Sequence, residues 1–208
     1  NGLVSITSDS SATGVFTLVD STRGNGIEVR NLNTITGTSP SYALTDTSSA
    51  WLKHATDGST DVMYALESTY DYFSTVHGRN SIDNAGMHLT GLINFGVPGF
   101  SYYTGSSFAF GLPSGTNQSF TAFDVVAHEY VHGVIAYSAA LGNGYEPYAL
   151  NESFADILAV SAEHYIKSGP VSFDIGEQCS STQSPIRSMR IPELYNYANT
   201  YNGANYGL

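Results

Sequence analysis

Apolar residues recur every three or four positions between residues 61 and 77, which is the spacing of one face of an α-helix. The recurring positions are Val62, Ala65, Leu66, Thr69, Phe73 and Val76. Ser59 or Thr60 can cap the start of this segment, and Gly78 can end it in a left-handed conformation. The pattern therefore predicts a helix from Asp61 to about His77.

Alternation of apolar and polar residues before this helix predicts strands. We expect strands within residues 2–33, with a turn at Gly24–Gly26 before a strand that begins at Ile27. Residues 31–57 are rich in serine and threonine, and we predict loops there. Within these loops, Trp51 and Leu52 are expected to anchor the chain in the core.

Strand patterns also follow the helix. Apolar and more polar residues alternate from Met87 to Phe95, which predicts a half-buried strand. Residues 100–103 and 108–110 are then predicted to form a hairpin, because the serine, glycine and threonine between them favour a turn.

Two further helices are predicted in the second half of the chain. The first covers residues 121–140, which are rich in valine and isoleucine. A break at Gly142–Gly144 separates it from the second, which covers residues 149–167 and is ended by Gly169-Pro170. Residues 170–190 show no regular pattern.

Metal-binding chemistry is concentrated on these two helices. His128 and His132 are four residues apart, so both imidazoles can point at one ion from the same helix face. Glu129 lies beside the first histidine, where it can take a proton from metal-bound water without binding the metal. Glu152 on the next helix is a suitable third ligand, and Asp156 can fix the tautomer of a ligating histidine.

The alternative is a surface helix with two exposed histidines and a solvated glutamate. The apolar character of residues 121–140 argues against it. Ionisable groups on the inner side of a buried helix are costly unless they are paired or bind a metal.

Composition and charge narrow the class of protein. The chain has 208 residues and a formal net charge of −11, with 18 acidic and only 7 basic residues. This balance argues against nucleic acid or an anionic membrane as a partner. The start at Asn1, without methionine or an apolar leader, predicts a secreted, extracellular mature form processed from a zymogen. Cys179 is the only cysteine, so it is either a buried inert thiol or bonded to another segment.

The motifs together resemble the thermolysin-like zinc metallopeptidases of the neutral protease, bacillolysin and vibriolysin type. The resemblance is carried by His128-Glu129-x-x-His132, by Asn151-Glu152-x-x-x-Asp156, and by the segments Asp20–Gly26, Asp61–Arg79 and Phe123–Ala127. It implies an α+β fold with a mixed N-terminal sheet, helices and the active-site helix in residues 1–140. Residues 141–208 would begin a mainly α-helical C-terminal domain, most of which is not in this sequence.

The resemblance implies a secreted endopeptidase that hydrolyses peptide bonds through a metal-activated water, with Glu129 as general base. Zinc would be held by His128, His132 and Glu152. Substrate would pair as an added strand with the exposed edge at Ser101, Tyr102 and Tyr103. At this edge the chain has Phe100-Ser101-Tyr102-Tyr103 where the family usually has Asn-Ala-x-Trp.

A tyrosine and a histidine are also implied as stabilisers of the oxyanion. Asn143 falls at the place of the tyrosine, which leaves Tyr145 as the nearby candidate, and the histidine would lie beyond residue 208. We therefore expect the remaining C-terminal segment as a separate chain. A zinc-binding module without activity, an inactive peptidase fragment and a non-peptidase zinc hydrolase are the alternatives.

A second cluster is acidic. Asp124, Glu163, Asp174 and Glu177 can bring oxygen ligands together, and the resemblance implies a structural calcium ion there. Ser172 replaces a further aspartate of the family's site. Solvated surface carboxylates are the alternative.

Overall fold

The computed structural model describes residues 4–10, 14–34, 41–51, 57–96, 98–111, 120–142, 144–170 and 172–205. Its helices are α1 (Ser59–His77), α2 (Phe123–Ala136) and α3 (Tyr145–Ile166). Its strands are β1 (Asp9–Ser10), β2 (Phe16–Thr17), β3 (Val19–Asp20), β4 (Ile27–Thr34), β5 (Tyr42–Ala43), β6 (Thr45–Asp46), β7 (Leu89–Phe95), β8 (Ser101–Tyr103), β9 (Phe108–Gly111), β10 (Asp174–Ile175) and β11 (Arg187–Ser188). The fold is α+β, as predicted.

The main sheet has the strand order β3-β4-β7-β9-β8, with β5 also paired to β4. Strands β4, β7 and β9 are parallel, whereas β8 runs antiparallel to β9 and lies at the edge. Ser101 pairs with Phe110 and Tyr103 with Phe108, so the predicted hairpin is confirmed. Two smaller sheets join β1, β2 and β6, and β10 with β11.

The prediction of loops for residues 31–57 is wrong in part. Strand β4 continues to Thr34, and β5 and β6 lie within the predicted loop region. Strand β4 pairs with β7 on one side and β5 on the other, so backbone hydrogen bonds hold it even where its side chains are polar. Trp51 is buried as predicted, and Leu52 lies outside the described residues.

The helices begin and end near the predicted positions, with three differences. Gly58, and not Ser59 or Thr60, is the N-cap of α1, and Asp57 accepts hydrogen bonds from the Ser59 amide and hydroxyl. Helix α2 ends at Ala136, four residues early. Helix α3 begins at Tyr145, four residues early, because proline is tolerated in a first helical turn and Pro147 therefore does not prevent an earlier start.

The core lies between the main sheet and the helices. Helix α1 packs on β4 and β7, and α2 packs between α1 and α3 while also contacting β8 and β9. Tyr130 of α2 stacks on Phe73 of α1 and on Phe108 of β9, which fixes α2 against both neighbours. In the described part of the chain, no helix has the length and apolar character needed to cross a bilayer.

Candidate metal centre

Three side chains that could hold a metal ion converge where α2 packs against α3. The Nε2 atoms of His128 and His132 are 2.9 Å apart. Carboxylate oxygens of Glu152 lie 3.3 Å from His128 Nε2 and 3.5 Å from His132 Nε2. Among the described residues, only this group brings three histidine, cysteine or carboxylate ligand atoms within 4.8 Å of one another. The structure therefore places the three predicted zinc ligands together.

The hydrogen bonds of the two histidines fit a metal ion. His128 Nδ1 lies 2.8 Å from Asp156 Oδ1, and His132 Nδ1 lies 2.8 Å from Asn151 Oδ1. These oxygens accept hydrogen bonds, so each Nδ1 carries a proton, and in the neutral imidazole each Nε2 then offers a lone pair to a metal. Two lone pairs and a carboxylate facing one point form a donor set suited to Zn²⁺.

Sequence reasoning identified Asp156 but missed two residues that support the ligands. Asn151 orients His132, and its position beside Glu152 is the one signal that pointed to it. Arg187 donates from Nε to Asp156 Oδ2 at 2.7 Å and from Nη2 to Asp156 Oδ1 at 2.5 Å. Nothing in the irregular stretch 170–190 indicated Arg187, because strand β11 brings it to the site only through the tertiary fold.

Electrostatics keep the carboxylates of the centre ionised. Burial opposes ionisation of Asp156, but its hydrogen bond with Arg187 holds its pKa below the usual value. The pKa of Glu152 is also lowered, because the interaction with His128 outweighs burial. Burial lowers the pKa of His128, yet hydrogen bonds to Asp156 and Glu152 raise it overall to about 9 without metal. The Glu152 and Asp156 carboxylates are therefore ionised, and they stabilise a positive charge at His128.

Glu129 lies beside the ligands and is only 4% exposed. Its Oε1 accepts a hydrogen bond of 2.9 Å from Ser101 Oγ. Ser101, Tyr102 and Tyr103 are all half-buried on the edge strand β8. The structure thus places the predicted general base between the metal ligands and the predicted substrate edge, since β8 packs directly on α2.

Tyr145, the oxyanion candidate, is expected before the start of the second C-terminal helix at residue 149, and this position is wrong. Tyr145 is the first residue of α3 and is 94% exposed. Asn143 lies outside the described residues. Tyr148, one turn before Glu152, interacts with the Glu152 carboxylate, and that negative charge raises the pKa of the phenol. Sequence reasoning therefore did not select Tyr148, the tyrosine that interacts with Glu152.

The four acidic residues of the second cluster come from different elements. Asp124 is buried on α2 and accepts a 2.6 Å hydrogen bond from the Gly176 amide. Burial, together with the charges of Glu163 and Glu177, raises its pKa to about 7. Glu163 on α3 is paired with Lys167, and Asp174 lies on β10. The described carboxylates are near enough to repel one another but do not form a tight ligand group.

Cys179 lies beside this cluster in a short 3₁₀ helix, Glu177–Cys179, and is a buried free thiol. Burial raises its pKa to about 12. This favours the alternative of an inert buried thiol, because the reactive thiolate is suppressed.

The chain is similar to known proteins over nearly its whole length. A family model described as the thermolysin metallopeptidase catalytic domain matches residues 1–136, and one described as the alpha-helical domain matches residues 139–207. The thermostable neutral protease NprT of Geobacillus stearothermophilus is 31% identical, over 95% of this chain and 37% of that protein. Neutral protease NprE of Bacillus pumilus is 31% identical, over 80% of this chain and 54% of its own length.

A solved structure shares the fold. The precursor of protealysin, a metalloproteinase from Serratia proteamaculans, superposes with a TM-score of 0.65 at 24% identity, covering 78% of this chain and 52% of that one. The chain spans little more than a third of the length of NprT.

Proposed function

Because the chain belongs to the thermolysin family of metallopeptidases, we propose that it is a zinc-dependent endopeptidase that hydrolyses bonds within peptides and proteins. The observation that carries the proposal is the convergence of His128, His132 and Glu152 beside a buried, separate carboxylate, Glu129. A zinc site with a purely structural role would have no use for that fourth group. This favours a peptidase over a non-catalytic zinc module.

Each residue of the centre has a distinct role in this proposal. His128, His132 and Glu152 hold the zinc ion, while Asp156 and Asn151 keep both imidazoles in the ligating tautomer. When bound, zinc acts as a Lewis acid toward water and the scissile carbonyl. Glu129 takes a proton from the attacking water and delivers it to the nitrogen of the leaving amine.

The edge strand β8 supports a peptide as the substrate. One side of β8 pairs with β9, and an extended peptide can add to the other side through backbone hydrogen bonds. Such pairing recognises polypeptide backbone independently of side chains. It therefore favours a peptide over a small-molecule ester or amide, which is the substrate of the non-peptidase alternative.

The test is the variant Glu129→Gln. It should retain zinc, because Glu129 is not a ligand, and lose about 10²–10⁴-fold in kcat/KM on a peptide substrate. His132→Ala should lose both zinc and activity. Zinc content by atomic emission and cleavage of a quenched fluorescent peptide give the two readouts. A Glu129→Gln variant with full activity would contradict the mechanism, and a zinc-loaded wild type that cleaves nothing would favour the non-catalytic module.

We propose that a further helical segment completes the C-terminal domain by packing on the outer face of α3. Large apolar side chains recur on that face and are about half exposed: Leu150, Phe154 and Ile157. Native mass spectrometry of the purified protein should show a second polypeptide bound to the 22.2 kDa chain, and Phe154→Asp should release it. A wild-type chain that is always alone would contradict this partner.

We also propose a structural calcium ion at the acidic cluster and an extracellular location. Glu177 Oε2 is buried and has no hydrogen-bond partner among the described atoms, so a cation would satisfy it. Calcium should raise the thermal midpoint of the wild type but not of Asp124→Asn. Equal shifts in both proteins would contradict the calcium site.

The net charge of −11 supports the proposed extracellular location, because it suits a protein that stays soluble outside the cell.

A further inference from the structure

We propose that Ser101 is a positioning residue that orients Glu129 for proton transfer, a role that rests on the proposed peptidase function. Ser101 Oγ donates a 2.9 Å hydrogen bond to Glu129 Oε1, although the two residues are 28 positions apart and lie on β8 and α2.

The sheet fixes the backbone that carries the Ser101 hydroxyl. Ser101 is paired with Phe110 across the hairpin, and Phe110 is completely buried. The amide of Gly111 donates a 2.7 Å hydrogen bond to the carbonyl of Phe100, which closes the ladder just before Ser101. With its backbone fixed in this way, Ser101 has a single side-chain torsion that sets the position of its Oγ.

Glu129 needs such a partner because its side chain is long and its charge is buried. A glutamate has three side-chain torsions, and each must be restrained for the carboxylate to face the reacting water. Among the described residues, no lysine or arginine forms an ion pair with Glu129. A serine hydroxyl restrains the carboxylate without neutralising it, so Oε1 is occupied and Oε2 remains available to accept the proton.

The position of Ser101 also links the base to the substrate. Strand β8 is the edge on which a peptide would pair, so the backbone of Ser101 would help set the register of the peptide. Its side chain sets the orientation of Glu129 at the same time. One residue therefore couples the placement of the bond to be cut with the placement of the base.

The first measurement is the effect of Ser101→Ala on steady-state cleavage of a peptide. We expect kcat to fall about tenfold or more while KM changes less than about twofold, because the variant loses orientation of the base and keeps the backbone edge. Ser101→Thr retains the hydroxyl and suits a strand, so it should restore most of kcat. Ser106→Ala, an exposed hydroxyl on the turn of the same hairpin, is the matched control and should leave both constants unchanged.

Two results would overturn the role. One is a Ser101→Ala variant with unchanged kcat. The other is a loss of kcat that Ser101→Thr does not restore and that is accompanied by loss of zinc, because the serine would then be needed only for the architecture of the site.

A second measurement does not depend on activity. In a double-mutant cycle of Ser101→Ala and Glu129→Ala, urea unfolding at one fixed zinc concentration should show coupling of about tenfold in the unfolding constant. An active wild type with no coupling overturns the inference about Ser101 alone. A wild type without peptidase activity overturns the proposed function and this role with it, whatever the coupling.

Discussion

At the scale of single residues, the candidate metal centre depends on which nitrogen of each histidine carries a proton. Asp156 and Asn151 determine this by accepting from Nδ1, and Arg187 fixes Asp156 with two hydrogen bonds. The two histidines differ in their support, since His128 has a charged partner and His132 a neutral amide. Zinc affinity should therefore respond to Asn151 even though Asn151 is not a ligand.

Asn151→Ala should weaken zinc binding about 10–100-fold, because His132 would no longer be held in the ligating tautomer. Competition with a chromogenic chelator measures the dissociation constant. Asn199→Ala, at an exposed asparagine distant in sequence from both helices, is the control and should bind zinc like the wild type. Equal affinities for Asn151→Ala and the wild type would show that α2 alone orients the ring.

Glu67 of α1 is a buried carboxylate whose raised pKa should make the stability of the fold depend on pH. It accepts a 2.9 Å hydrogen bond from the Thr7 amide and lies 3.6 Å from Arg23 Nη1. Burial raises its pKa from 4.5 to about 7, in spite of these two partners. The folded state therefore holds a proton that the unfolded chain has already released between these pH values.

The sign of the pH dependence follows from that difference. As pH rises from about 4.5 to about 7, the contribution of Glu67 should reduce the free energy of unfolding by up to about 3 kcal/mol. Glu67→Gln keeps an acceptor for Thr7 and should remove this part of the decline. Urea unfolding at about pH 5 and about pH 8 measures it, with the exposed Glu193→Gln as control. Parallel pH profiles for the wild type and Glu67→Gln would be evidence against a raised pKa.

At the scale of elements, the site depends on the close packing of helices and strands. Gly91 of β7 illustrates this, because a Cβ added there would lie 2.7 Å from Val62 Cγ1 of α1 and 3.3 Å from side chains of Leu66 and Val29. Helix α1 can approach the sheet only because β7 has no side chain at that point. Helix α2, which carries the histidines, packs in turn on α1.

Gly91→Ala should therefore destabilise the fold by about 1–3 kcal/mol through overpacking. Gly142→Ala is the matched control, since a Cβ there meets nothing within 4 Å, and its effect should stay within about 0.5 kcal/mol. Urea titration gives both values. Shortening the facing residue with Val62→Ala in the Gly91→Ala background should recover part of the loss, and no recovery would point to a cause other than this contact.

At the scale of the whole molecule, the metal centre joins two helices that come from the two family domains. His128 and His132 lie on α2, within the first, and Glu152 lies on α3, within the second. An ion bound by all three should stabilise the contact between α2 and α3. The stability of the chain and the loading of the centre should therefore be linked.

Removing zinc should lower the thermal midpoint of the wild type, because free zinc at about a thousand times its dissociation constant adds about 4 kcal/mol to the stability of the folded state. Differential scanning calorimetry with and without a chelator measures the shift. His132→Ala, which has lost a ligand, should show a low midpoint that the chelator does not reduce further. The same chelator-induced shift in both proteins would place the stabilising ion elsewhere, for example at the acidic cluster.

Local periodicity in the sequence determined the helices of this protein and the placement of its two candidate histidine ligands. The spacing of apolar residues was sufficient to predict α1, and the four-residue spacing of His128 and His132 was sufficient to predict that both lie on one helix face. These features could be predicted because hydrogen bonding within a helix depends only on near neighbours in the chain. The strands within residues 31–57 could not, since their hydrogen bonds go to residues distant in sequence.

The tertiary structure alone decided which distant groups meet at the centre. Arg187 reaches Asp156 from 31 residues away, and Ser101 reaches Glu129 from 28 residues away. Neither contact produces a periodic pattern in the sequence, because each arises from the packing of a strand against a helix and not from spacing along one element. The sequence by itself therefore determined the family and the residues of the candidate metal centre, whereas the packing of α2 against α3 and β8 decided how those residues and Glu129 are oriented.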